Sequence, residues 1–154
     1  MFRRVFWLWT GGTLALFVAD RITRTLAFAH APQTIIPGLL QSAPTTNTGI
    51  AFGIGLPGPF TLFLIALLLL VVTAIAWGAY RTGATARWVS ALAIICGAAS
   101  NLLDRLEFGY VRDFLKFDFW PTTANLGDWL ITLGTVVLIL SFVPKGRTRP
   151  EIPQ

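Results

Sequence analysis

Carboxylates are scarce in this 154-residue chain, and three of its five aspartates fall in one stretch, VRDFLKFDFWPTTANLGDW (111–129). Asp113, Asp118 and Asp128 stand there, on the approach to a long apolar run. Two carboxylates a few ångströms apart in a low-dielectric cleft do not both ionise easily; one keeps its proton, and the split pKa values belong to the pair. The ionised member can draw a proton from water while the protonated one polarises a carbonyl, which is amide hydrolysis without metal or cofactor. Competing chemistries find few parts. His30 and Cys96 are each the only residue of their type, so they cannot build a zinc site together with a second His or Cys, nor an intramolecular disulfide. No histidine-based triad stands out around the loop residue His30. A Ser–Lys dyad would have to use Lys116 or Lys145, neither near a serine at membrane level.

Two stretches echo each other, NLLDR (101–105) and NLGDW (125–129). An Asn and an Asp three residues apart share one helix face. Asn101 and Asp104 close one apolar segment while Asn125 and Asp128 open the next, so antiparallel neighbours would bring both pairs to the same depth. Ionisable groups at such depth are a functional hypothesis by default, because their burial is costly. Each has a plainer reading. Asn125 or Asp128 could simply serve the first turn of a helix, although Thr122 or Thr123 already offers a conventional cap. Asp104 beside Arg105 could be an interfacial ion pair, and Asp20 with Arg24, at i and i+4, a brace. Asp118, between two phenylalanines, is expected to face water, and Asp113 to fold back over the membrane surface. Two rival functions use the same residues: a small transporter or proton-relay subunit working through Asp104 and Asp128, or a membrane scaffold in which the Asn-x-x-Asp echoes glue helices together.

The elements that must position these groups are set by composition. Hydrophobic residues make up 55% of the chain and charged ones 12%, far from the balance of a soluble domain. The apolar runs predict four transmembrane helices, at about 5–28, 59–80, 87–106 and 122–143, in a single all-α membrane domain. Arg3, Arg4, Arg81, Arg87, Lys145, Arg147 and Arg149 fall on one side, which the positive-inside rule places in the cytoplasm with both termini. Trp7, Trp77 and Trp88 mark that interface, Trp120 and Trp129 the other. The cations therefore follow membrane topology and predict no nucleic-acid partner. MFRR, an apolar stretch and AFA (27–29) have the outline of a cleavable leader, but Asp20, Arg21 and Arg24 form an unusually charged spacer and favour a retained helix. Five of the nine prolines lie between Pro32 and Pro59, so the first external loop, about 30–58, cannot be helical. Ile50, Phe52, Ile54 and Leu56 alternate there with small residues and predict a strand or hairpin, so the loop is expected to be a functional platform or lid.

In chain order, DRITR (20–24), NTGIAFG (47–53), GAASNLLDR (97–105), VRDF (111–114) and ANLGD (124–128) resemble the motifs of the lipoprotein signal peptidases, also called type II signal peptidases. These are bacterial aspartic endopeptidases embedded in the membrane, and the resemblance covers nearly the whole chain. It implies that Asp113 and Asp128 form the catalytic dyad. Asn101, Asp104, Arg105 and Asn125 would line the site and hold substrate and dyad, with Asp20 and Arg24 structural beside them. Asn47 and the following strand would belong to a small extracytoplasmic β-platform that cradles the substrate, and the segment from Glu107 to Lys116 would be a mobile flap. The implied substrate is a prolipoprotein whose cysteine already carries diacylglycerol, cut just before that cysteine. Metal and cofactor would be unnecessary; the partners would be membrane lipid and lipid-modified signal peptides. The enzyme would act as a monomer in the bacterial cytoplasmic (inner) membrane, with its site toward the extracytoplasmic face. Five positions depart from the usual pattern: Arg21 for Gln, Arg24 for Lys, Ser100 for Gly, Ala124 for Phe and Gly127 for Ala. None removes a carboxylate of the dyad or its asparagine.

Overall fold

Long uninterrupted runs of Leu, Ala, Val and Ile fold as helices, and the Pro- and Gly-rich connectors between them carry short strands. The structure, a computed structural model, describes residues 2–49 and 58–143. In chain order the elements are α1 (Phe2–Ala29), β1 (Gln33–Ile36), β2 (Leu40–Asn47), α2 (Gly58–Thr82), α3 (Thr85–Phe108), β3 (Val111–Phe117), β4 (Thr123–Ala124) and α4 (Leu126–Leu140). The strand expected at Ile50 to Leu56 and the cations of the C-terminal tail lie outside the described residues.

α2 and α3 are each long and apolar enough to cross a membrane, and α4 is apolar but shorter. α3 is the central helix and packs against the other three. Its seam with α2 and α4 is built from Val72, Ala76, Ala91, Ile94 and Leu138. Near the opposite end of α1, Phe6 stacks on Trp88, and the Trp88 indole N–H donates to the Thr10 hydroxyl at 2.9 Å.

Polarity is distributed the reverse of a soluble core. Leu8, Phe63, Leu70, Ile139 and Leu140 point outward, at least 60% exposed, while Asp20, Arg24, Ser100, Asp104 and Asn125 are fully enclosed. An apolar exterior suits a hydrocarbon solvent. A charged interior is tolerable only if every group is paired.

One four-stranded antiparallel sheet, in the order β1-β2-β3-β4, sits at the C-terminal end of α3. The sheet extends beyond the β-platform expected of the first connector, because β3 and β4 come from the segment between α3 and α4. The segment from Glu107 to Lys116, expected as a flap, is the end of α3 followed by β3. Glu107 belongs to α3, which stops at Gly109 in the left-handed region (φ 81), where a side chain would be strained. The next segment, VRDFLKF, is then an interior strand with Val111, Arg112, Asp113 and Phe114 all buried. Pro44 fits inside β2 because the β2–β3 ladder shifts register between Ser42 and Thr45, where the missing N–H is not called on. The fourth helix starts at Leu126 rather than near residue 122, since Thr123 and Ala124 pair with β3 instead.

Candidate active site

Strand register delivers Asp113 to the bundle. Thr45 of β2 lies opposite Asp113, so Asn47, two residues on, is its diagonal neighbour on the same face. The Asn47 side-chain amide accordingly donates to Asp113 Oδ2 at 3.0 Å. On the other side, β4 pairs Ala124 with Leu115, and the chain then leaves the sheet at Asn125 to enter α4. Asn125 Nδ2 donates to Asp113 Oδ1 at 2.6 Å.

Asn125 is also the N-cap of α4. Its side-chain oxygen accepts the Asp128 N–H at 2.9 Å, and its own backbone N–H donates to Asp128 Oδ2 at 3.2 Å, a reciprocal capping box. The cap is therefore Asn125, not Thr122 or Thr123. Capping and carboxylate placement turn out to be one arrangement: the same asparagine grips Asp113 through its amide and Asp128 through its backbone.

The remaining oxygen of Asp128 receives Asn101 Nδ2 from α3 at 2.8 Å, as expected from Asn-x-x-Asp echoes at matching depth on antiparallel helices. That close approach depends on glycine. A Cβ at Gly97 would collide with the Gly127 carbonyl oxygen, and one at Gly134 would lie 2.9 Å from the Ser90 carbonyl oxygen.

Asp104 does not pair with Arg105. It is wholly buried and receives Arg21 at 2.6 Å, Arg24 at 2.8 Å, and both the backbone N–H and the guanidinium of Arg112, each at 2.9 Å. It ties α1, α3 and the start of β3 together, and among the described residues no hydrogen bond joins it to Asp128. Arg105 instead donates to the carbonyls of Asn101 (3.2 Å) and Gly49 (2.6 Å), holding the chain after β2 against α3. Asp20 pairs with Arg24 at 2.8 Å and accepts the Ser100 hydroxyl and the Gly127 N–H. Asp118 is exposed and takes only the Gln41 amide, among the described residues.

Spacing in the sequence did not point to Arg21, Ser100 or Arg112 as members of this network. The one available signal was the crowd of arginines beside acids on the outward side, which an unpaired burial would not permit. Among the described residues, no group of three or more His, Cys, Asp or Glu converges as metal ligands would. Asp113 is 1% exposed, whereas Asp128, Asn101, Asn47 and Arg105 are half-buried and form the open side of the site. Burial pushes the Asp113 carboxyl up; the Asn125 amide opposes this and the Asp128 carboxylate adds to it, leaving it at about 6. A carboxyl held so, next to a second one, is equipped for proton transfer near neutral pH.

Residues 13–144 match the family model described as signal peptidase (SPase) II. The lipoprotein signal peptidase of Syntrophomonas wolfei is 30% identical over 146 residues, 92% of this chain and 95% of that protein. That of Chlorobium luteolum is 34% identical, over 84% and 88% of the two chains. Among solved structures, a bacterial membrane enzyme determined by the in meso method at 2.3 Å superposes with a TM-score of 0.77 at 19% identity, covering 92% of this chain and 91% of that one.

Proposed function

The chain belongs to the signal peptidase II family, and from that premise we propose that it removes the signal peptide from diacylglyceryl-modified prolipoproteins. The cut falls just before the lipidated cysteine, and Asp113 and Asp128 are the catalytic carboxylates. The observation that carries this reading is the double grip of Asn125, which binds Asp113 Oδ1 through its amide and Asp128 Oδ2 through its backbone N–H. Two acids sharing one rigid cap are held as a pair.

The reaction follows from their shared proton. The ionised carboxylate takes a proton from water as the water oxygen bonds to the scissile carbonyl carbon. The protonated carboxyl gives its proton to the carbonyl oxygen, forming a gem-diol. As the C–N bond breaks, one proton passes to the leaving nitrogen, freeing the amine of the cysteine, and a carboxylic acid remains on the signal peptide. One water is consumed, and the pair again holds a single proton. The half-buried flank formed by Asn47, Asn101 and Arg105 supplies polar contacts for the extended peptide backbone, and the sheet edges the opening.

α4 starts level with Asn101, about two turns inside the outward end of α3, so the pair lies just below the membrane surface. This depth suits a substrate anchored in the bilayer by its acyl chains. Four crossings, both termini in the cytoplasm, a monomeric enzyme in the inner membrane and a site facing the extracytoplasmic side complete the reading. Its support is the distribution of arginines and the apolar exterior.

A gel-shift cleavage assay tests it. The wild-type protein should cut a diacylated prolipoprotein and leave the unlipidated form intact. Asp113→Asn and Asp128→Asn should each lose at least about 1,000-fold in rate while remaining folded and inserted, because neither amide can exchange a proton as required. Near-normal turnover by either variant removes that residue from the chemistry.

A further inference from the structure

Arg24 is completely buried, and its four hydrogen bonds go to Asp20 from Nε (2.8 Å), Asp104 from Nη1 (2.8 Å), and Asn101 Oδ1 (2.6 Å) and Asn125 Oδ1 (2.7 Å), both from Nη2. None of the four goes to Asp113 or Asp128. A guanidinium can only donate, so each asparagine must turn its oxygen toward Arg24 and its NH2 away. The NH2 of Asn101 then faces Asp128 Oδ1 at 2.8 Å, and that of Asn125 faces Asp113 Oδ1 at 2.6 Å. Flipping either amide would set an NH2 against the guanidinium and a carbonyl oxygen against a carboxylate.

We propose that Arg24 is a positioning residue for catalysis: one nitrogen, Nη2, fixes the amide direction of both Asn101 and Asn125, so that each carboxylate of the pair meets an N–H donor. The proposal rests on the reading of Asp113 and Asp128 as the hydrolytic pair. Its second support is Gly127. A Cβ built there would lie 2.9 Å from Arg24 Nη2 and 2.9 Å from Asn125 Oδ1, which places it against the hydrogen bond that joins them. The bare Cα at 127 is the space in which this contact fits.

A residue that acts through two amides should affect turnover more than substrate affinity. Misplacing reacting groups by about 1 Å costs on the order of 100-fold in rate, so loss of Arg24 should lower kcat by about that factor. Arg24, being fully enclosed, should leave KM nearly unchanged. Freed amides could turn their oxygens toward the carboxylates, which would then hold protons to higher pH; the acid limb of the kcat profile should move upward. The charged groups that act on the pair are Asp20 and Arg24 from α1 and Arg105 from α3, with Asp104 of α3 and Arg112 of β3 behind Arg24.

The test is a cycle on the full-length enzyme in detergent micelles with a diacylated prolipoprotein, reading kcat, KM and the pH profile together with thermal melting. R24Q should lose kcat as described and R24K considerably less, since an ammonium can donate to both asparagine oxygens. Because R24Q leaves Asp20 and Asp104 without a buried partner and could fail to fold, G127A is the second probe: it keeps the charge and crowds the contact. G127A should lower kcat at least tenfold with KM held and the acid limb raised, and R24K should recover much of that loss, because the shorter cation has no Nη2 at the point of collision. An equal fold-loss from G127A in the wild-type and R24K backgrounds overturns the proposal, as does a loss that follows melting temperature with an unmoved pH profile. A wild-type enzyme that fails to cut the lipidated substrate would instead overturn the functional reading beneath it.

Discussion

At Asp113, two amide donors, from Asn47 and Asn125, hold a carboxyl that is almost entirely removed from solvent. Burial outweighs those donors, with the nearby Asp128 charge assisting, so the group keeps its proton to about pH 6 instead of 3.8. In the unfolded chain the same carboxyl ionises at its ordinary value. Between the two pH values the folded protein binds more protons than the unfolded one, so stability falls as pH rises through that window. The loss is on the order of 2–3 kcal/mol once Asp113 is fully ionised. Melting temperatures of the wild type should therefore drop from about pH 4 to pH 7 by more than those of Asp113→Asn, whose amide cannot ionise. Identical slopes for the two proteins would show that the folded site does not oppose the charge. A buried carboxyl whose proton is held to about pH 6 thus has a stability cost at neutral pH.

Between elements, the seam of α3 and α4 sets how accurately Asn101 meets Asp128. Gly97→Ala would drive a methyl into the Gly127 backbone, which cannot move aside as a flexible side chain could. A cost of about 1–3 kcal/mol is expected, with a loss of cleavage beyond what the lower melting temperature explains, because Gly127 adjoins Asp128. Gly11→Ala on α1, where nothing lies within 4 Å of the added methyl, is the control and should be neutral or mildly stabilising. Comparable losses for both variants would mean that the seam is not tight. Much of this level was readable in the sequence. Helical periodicity gave the shared faces of Asn101 and Asp104, and of Asp20 and Arg24, and apolar runs indicated four helical segments. What could not be read was long-range β pairing. Nothing in the spacing of VRDFLKF announces that it will lie between β2 and β4, and until it does, neither the Asn47–Asp113 contact nor the Arg112–Asp104 contact exists. Asn125 likewise read as a cap or a site residue, when its side chain both caps α4 and donates to Asp113.

The whole molecule places a charged network, a small sheet and the open side of the site at one end of an apolar bundle. α4, with 15 residues, is about 22 Å long, short of the roughly 30 Å of hydrocarbon that a full crossing covers. Where α4 begins, the backbone that is not helical has its polar groups paired within the sheet and with the Asp128 carboxylate. The same geometry fixes which end must face outward if the arginine distribution governs insertion. The α2–α3 turn, flanked by Arg81 and Arg87, would stay in the cytoplasm, and the β3–β4 hairpin would be exported. Single cysteines introduced into a Cys96→Ala background test this directly. Lys116→Cys, on the exposed face of β3, should react with a membrane-impermeant maleimide in cells whose outer barrier alone is opened. Thr82→Cys, at the exposed end of α2, should react only after the inner membrane is breached. The reverse pattern would put the site in the cytoplasm, where a signal peptide awaiting removal after export would not reach it. Labelling of both from outside would mean that α2 and α3 do not cross as a pair.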